Sequence, residues 1–212
     1  TIIATLMTIG SFGISNFTKA KGVGMAVSTS QAIVSEAALI AKLNGTPPYA
    51  GGRTRLLIHT DSSKTGIEDR KRYLRFLIIQ RLADDMNTPD EADDEWEFAA
   101  RGTYLPDGGF YSVALSNQPD LQIPTVSVTL PGDADETVCS YYEFKGVAGI
   151  STLITKPGAG SRFVISGGVL PPGAAEPIRN EKSGKKNVGG FMIWRNATTS
   201  LIRHPDQIDP DL

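Results

Sequence analysis

The sequence predicts an α+β fold, with a long N-terminal helix packed on a largely antiparallel β-sheet domain. Three observations predict it. Residues 1–44 contain no proline and no strong turn pair. Beyond Pro48, short apolar runs alternate with clusters of Gly, Pro, Asn and Asp. The connections between those runs are too short for the helical crossovers that parallel strands require. The division is a helix over 1–44 and a β-rich domain over 45–212, the helix splitting into an anchoring half (1–24) and a packing half (25–44).

In the packing half, Met25, Ala32, Ile33, Ile40 and Leu43 recur at helical spacing, interrupted only by Glu36, and predict the stripe that packs on the sheet. A second row, Val27, Val34, Ala38 and Ala41, lies beside it, so the helix needs neighbours on more than one side. Asn44–Gly45 and Pro47–Pro48 end the helix. Gly22 and Gly24 lie close together and predict a kink or a melted turn. Upstream, Thr1–Ile14 is apolar apart from threonine, serine and glycine, and Ile2, Ile3, Leu6, Met7, Ile9 and Phe12 form a candidate anchoring and assembly surface. Fourteen helical residues span about 21 Å, short of the roughly 20 residues a membrane span needs. No basic segment precedes them, so they do not read as a signal peptide. They read either as the end of a longer apolar helix, the chain being a processed or truncated product, or as a buried core helix. A patch of this length predicts only weak self-association.

The strands follow in order. Arg55–Thr60 is a short candidate. Arg72–Leu82 has the length of a helix, but its Tyr, Phe and paired Ile favour strand, with Leu74, Phe76, Ile78 and Leu82 on one face. Trp96–Leu105 reads as its antiparallel partner, across an acidic segment spanning Asp84–Glu95. Further candidates are Phe110–Leu115, Thr125–Leu130, Ser140–Lys145, Arg162–Ile165, Phe191–Arg195 and Ser200–Arg203. Turn signals such as Asp107–Gly108–Gly109, Pro131–Gly132–Asp133 and Pro171–Pro172–Gly173 separate them.

Composition removes several function classes. Across 212 residues, 21 basic and 23 acidic side chains nearly cancel, leaving no basic excess to neutralise phosphates, so no nucleic-acid partner is expected. The single Cys139 excludes an internal disulfide and a cysteine-rich metal site.

An apolar N-terminal helix, a more polar second half and a β-rich domain resemble the plan of type IV pilins and type II secretion pseudopilins. Residues 1–43 look like the pilin helix entered part-way along. Arg55–Asp61, Arg72–Ile79 and Tyr104–Tyr111 look like the globular part of bacterial pilin-like proteins, and Gly190–Arg203 resembles the closing hairpin of minor pseudopilins. The family's processing signature is absent, and no acidic residue precedes Glu36. The resemblance implies a structural subunit of a cell-envelope filament or secretion machinery, anchored in the inner membrane before assembly and exposed to periplasm or cell surface. Its partners would be other subunits, met through the helix, and the membrane, with a host or surface ligand also open.

Chemistry-bearing residues point weakly elsewhere. His59 and Asp61 suggest part of a hydrolase triad, but no GxSxG elbow occurs, and surface or capping roles are expected for His59 and His204. Cys139 reads as a buried structural thiol with no histidine partner in its sequence neighbourhood. The acidic segment (Asp84, Asp85, Asp90, Glu91, Asp93, Asp94, Glu95 and Glu97) lacks EF-hand spacing and reads as a solvated loop. The basic runs Arg70, Lys71, Arg72, Arg75 and Lys182, Lys185, Lys186 read as solvated faces. No catalytic residue, cofactor or metal is expected. The alternatives to a pilin-like subunit are a secreted or surface binding module for host, glycan or receptor and, further off, a small hydrolase.

Overall fold

The computed structural model describes residues 2–43, 52–84, 94–146, 150–151, 160–178 and 187–208, with side chains in 2–21 and 150–151 outside the description. One α-helix, α1 (Ile2–Leu43), precedes eleven described strands and three short helices, the last a 3-10 turn at Pro205–Gln207. At 42 residues it is about 63 Å long. It runs unbroken through Gly22 and Gly24, so the expected kink does not occur. Gly22 is buried beside the Asp107 carbonyl, whereas Gly24 faces open space.

Two antiparallel sheets receive the helix. The first has the order β3 (Glu95–Phe98), β2 (Phe76–Asp84), β1 (Arg53–His59), β7 (Glu136–Lys145), β6 (Thr125–Thr129). Two further strands extend its edges: β4 (Thr103–Tyr104) also pairs with β2, and β8 (Ile150–Ser151) with β7. The second has the order β11 (Thr199–Ile202), β10 (Val188–Trp194), β9 (Gly160–Gly167), β5 (Gly109–Tyr111). Every described pairing is antiparallel. The α+β class with a helix on antiparallel sheet therefore holds.

Among the strands, sequence and structure part in several places; the one strand expected over Trp96–Leu105 is two, β3 and β4, both paired with β2. The expected strand from Arg72 begins only at Phe76, because Ile67–Arg72 forms helix α2 and Leu74 takes a left-handed backbone (φ 58°). There Leu74 donates its N–H to the His59 carbonyl and accepts from Tyr111 N–H, joining β1 to β5 (both 2.8 Å). The single face expected for Leu74, Phe76, Ile78 and Leu82 also divides. Leu74, Leu77 and Ile79 enter the main core, whereas Phe76 and Ile78 pack with Leu57, Leu130 and Cys139 on the sheet's far side. Finally, the Phe110–Leu115 candidate stops at Tyr111 and becomes helix α3 (Val113–Ser116), whose Leu115 N–H donates to the capping Ser112 hydroxyl.

The main core lies between α1 and both sheets. Leu56, Ile58, Tyr142 and Phe144 face it from the first sheet; Tyr111, Phe163, Ile165, Phe191 and Ile193 face it from the second. Phe163 and Phe191 stack with centroids 5.1 Å apart. A polar link within it is closed: the Tyr111 and Tyr142 hydroxyls are 3.0 Å apart, and Tyr142 donates to the Arg162 carbonyl at 2.6 Å. Burial holds the Tyr111 phenol protonated, its pKa pushed up to about 12.

Candidate functional site

The helix is the feature around which a site can be built. From Gly22 to Ala41 it turns a narrow face inward, made of Val23, Ala26, Val27, Ser30, Ile33, Val34, Ala37, Ala38 and Ala41. Their three- and four-residue spacing is that of one helical stripe. The stripe is rotated from the expected one. Ile33 is buried and Ile40 half-buried against the core, but Met25 (60% exposed), Ala32 and Leu43 (66% exposed) face outward. The secondary row Val27, Val34, Ala38, Ala41 lies wholly inside. Gly22 and Val23 are also buried, so a division at residue 24 cuts into the packing face. The anchoring side chains Ile2, Ile3, Leu6, Met7, Ile9 and Phe12 lie outside the described residues, although their backbone is helical.

Close approach explains the rotation. A Cβ placed on Gly109 would lie 2.7 Å from Ala26 Cβ, and one on Gly22 would lie 2.9 Å from the Asp107 carbonyl oxygen. A Cβ on Gly189 would sit 3.2 Å from Val23 Cγ1. Where helix and sheet approach this closely the inward positions are held by glycine, alanine and valine, and Met25, Leu39 and Leu43 are turned away. Gly24, by contrast, faces open space. Polar contacts fix the seating: Thr54 Oγ1 donates to the Ala37 carbonyl at 2.8 Å, and Gln31 Nε2 donates to Thr199 Oγ1 at 3.2 Å. Ser30 satisfies its own buried hydroxyl on the Ala26 carbonyl at 2.8 Å.

The outward face carries Met25, Ala32, Leu39 (54% exposed) and Leu43, with Glu36 among them. Among the described residues neither Glu36 nor Lys42 has an ion-pair partner. The segment Gly22–Leu43 is long and apolar enough to cross a membrane by length and composition, a criterion that the core helix of a soluble domain also meets.

The chemistry-bearing residues do not converge. His59 is buried rather than at the surface, and neither ring nitrogen has a hydrogen-bond partner. Desolvation lowers its pKa below the ordinary value, against the upward pull of the Asp69 and Asp61 carboxylates. Asp61 does not orient it. Its carboxylate instead accepts from the Ser63 N–H and hydroxyl and from Val138 N–H, and these bonds outweigh burial and hold it below the usual range. Cys139 is buried as expected, its thiol pushed up to about 12 by desolvation. It stands directly opposite His59 in the β1–β7 register, a pairing across 80 residues that local sequence does not reveal.

Several charges expected in water are ordered. Asp94 is buried in an ion pair with Arg53 (2.6 Å), and Glu143 holds both Arg53 and Arg55 at 2.9 Å. Arg55 also lies 3.8 Å over the Trp96 ring. Of the basic run, Arg72 pairs with Asp133 and Arg75 with Asp107, each at 2.6 Å. Residues 85–93, and with them most of the acidic segment, lie outside the described residues, as do Lys182, Lys185 and Lys186. Among the described residues no group of three or more His, Cys, Asp or Glu is placed to hold a metal ion. Compared with known proteins, the chain matches no family model, no curated protein and no solved structure.

Proposed function

We propose that this chain is a structural subunit of pilin-like or pseudopilin type, held at the cell envelope and displayed outside the cytoplasm, which works by assembly through its N-terminal helix and not by catalysis. The observation that carries the reading is the helix itself. A single 42-residue helix is docked mainly through alanines, valines and Ile33 while Met25, Leu39 and Leu43 face outward, and its first fourteen residues are largely apolar in sequence. A helix built only to fill a core turns its large residues inward. Exposed apolar stripes mark contact with a membrane or another protein. The hydrogen bonds around His59 do not compete with this reading: its ring nitrogens make none, and the neighbouring Asp61 carboxylate is held by Ser63 and the Val138 N–H.

The test compares the full chain with one lacking residues 1–21, which keeps the described packing face whole. The full chain is expected to float with phospholipid vesicles and to form small oligomers in sedimentation at high concentration. The shortened chain is expected to stay folded, monomeric and unbound. Identical behaviour of the two, or a full chain that neither binds vesicles nor associates, would overturn the assembly reading.

A further inference from the structure

Strand β6 ends the first sheet without the features that guard its other edges. It pairs with β7, and among the described residues no strand pairs with its far side. An open edge offers a row of N–H and C=O groups to any extended strand, and charge, proline or shortness normally blunts it. The other described edges are blunted: β3 carries Glu95 and Glu97, β4, β5 and β8 are two or three residues long, and β11 runs into Arg203, His204 and Pro205. β6 has five residues and no charge, proline or glycine. The Tyr141 N–H donates to the Pro124 carbonyl at 3.0 Å, which sets the alternation along the strand. Val126 and Val128 turn their backbone groups toward β7. Thr125, Ser127 and Thr129 turn theirs outward, where no hydrogen bond among the described residues meets them.

We propose that β6 pairs with β6 of a second copy, antiparallel and centred on Ser127. The strand's own sequence names this occupant. Thr125–Val126–Ser127–Val128–Thr129 reads the same in both directions, so a two-fold axis at Ser127 sets like against like, as an isologous contact requires. Ser127 faces Ser127 of the second copy, Thr125 faces its Thr129, and Thr129 faces its Thr125. All three positions are turned outward, so each pair exchanges two N–H···O bonds. Between them Val126 faces Val128 of the second copy at the closer, non-bonded positions. These valines lie on the sheet face that already holds Leu57, Leu130 and Cys139. The alternation also selects the register. Centring on Val126 keeps only two bonded pairs and brings Thr129 against Ile123, whose N–H already donates to the Asn117 side chain at 2.9 Å. Centring on Val128 also keeps two and brings Thr125 against Pro131, which has no N–H. The pairing uses no part of the helix and stands apart from the assembly reading. Five residues a side bury less than the roughly 1,200 Å² of a stable complex, so the pair is transient. It parts too readily to hold copies together in sedimentation or to raise the melting temperature, and oxidation traps it as it forms.

Disulfide trapping on the full chain at high concentration tests the register, with the unsubstituted chain, whose Cys139 is buried, as control. Facing residues of a bonded pair have Cα atoms about 5.5 Å apart, within disulfide reach. In this register two copies of position 125 lie about 13 Å apart along the strands, and so do two of position 129. Ser127→Cys alone, and a mixture of Thr125→Cys with Thr129→Cys, are therefore expected to cross-link at least tenfold faster than Thr125→Cys or Thr129→Cys alone. Adding Ser127→Pro to both members of the mixture removes only an outward N–H and should reduce linking to the rate of chance collision. Ser127→Lys, which sets like charges face to face without altering the backbone, should do the same. Equal rates at all three positions, preferred self-linking of position 125 or 129, or fast linking that survives both Ser127→Pro and Ser127→Lys would overturn the proposal. So would an unlinked chain whose edge takes up a labelled peptide of residues 123–131, since the edge would then accept a free strand but not a folded copy.

Discussion

The two faces of the helix largely reverse the usual relation between size and burial. Inward, alanines, valines, a serine and Ile33 lie against the sheets; outward, Met25, Leu39 and Leu43 stand in the open. The inward residues are small because the backbones approach closely, and the energy of the contact comes from many short van der Waals contacts rather than from a few large side chains. What this contrast teaches is that side-chain size alone does not identify the packing face of a helix whose neighbours are close. Strand β1 repeats the contrast. Its inner face presents Leu56 and Ile58 to the helix layer, while its outer face carries Arg53, Arg55, Leu57 and His59, all buried as well. The helix has one dry face; the strand has two, one of them charged.

The strongest break of this comparison is at the charged side of β1. Glu143→Ala leaves Arg53 and Arg55 buried without the carboxylate that joins them, and such a loss costs about 3–5 kcal/mol. Urea unfolding is expected to show a midpoint shift of that size. A shift below about 1 kcal/mol, the range of exposed pairs, would mean that this side behaves as solvent-facing surface.

Next is the inward face. Ala26→Leu forces extra carbons into a gap where even a Cβ on Gly109 would be 2.7 Å away. Overpacking of this kind costs about 1–3 kcal/mol, read as a lower unfolding midpoint. A neutral result would show that helix and sheet can separate locally without loss.

How far the sequence carried this contrast can be judged from particular residues. The strand segments were legible because β-branched and aromatic runs are bounded by Gly, Pro and Asp turns, as at Thr125–Thr129, whereas β10 begins at Val188, three residues before the expected Phe191, through the glycines Gly189 and Gly190. The phase of the helix was not, because its apolar residues are spread around the circumference and the deciding factor, glycine on β5 and β10, lies more than 80 residues away. The short helix at Ile67–Arg72 was hidden by its charged composition, which resembles a loop; its Lys71–Glu68 pair is local, but the segment buries nothing. Burial of His59 and its position opposite Cys139 depend on strand register, which local pattern does not encode.

His59 offers a pH-dependent test of the charged side. Its folded pKa is lowered from the ordinary 6.5 by burial, so the unfolded chain binds the proton more readily. Stability is therefore full above pH 6.5 and falls as the pH drops below that value toward the folded pKa. Asp69, Asp61, Arg72, Tyr73 and Cys139 face the ring, and the two carboxylates moderate the loss without removing it. His59→Phe keeps a ring of similar shape and gives up no hydrogen bond. Its unfolding free energy should be flatter than that of the parent in this window, while the decline at lower pH, as Asp61, held below its ordinary 3.8, takes up its proton, should persist. Equal slopes in the two proteins would mean that the imidazole finds a proton-accepting partner on acidification.

The smallest expected effect on stability sharpens the comparison most. Leu39→Ala and Met25→Ala remove large apolar side chains, yet each is more than half exposed in the single chain, at 54% and 60%. Exposed substitutions of this kind stay within about 0.5 kcal/mol of the parent. The inward Val34→Ala removes fewer atoms from a fully buried position and should cost more, about 1 kcal/mol or above, through lost burial and the cavity left behind. Measured at low concentration, where the chain is monomeric, the ranking should therefore run against side-chain size. At high concentration the order should change, because a side chain buried between copies stabilises the associated state by mass action. Leu39→Ala should then lose the concentration-dependent rise in melting temperature that the parent and Val34→Ala both retain. If Leu39→Ala is already strongly destabilised when dilute, the outward face is part of the folded core after all. The distinction between a docked face and a contact face would then fail.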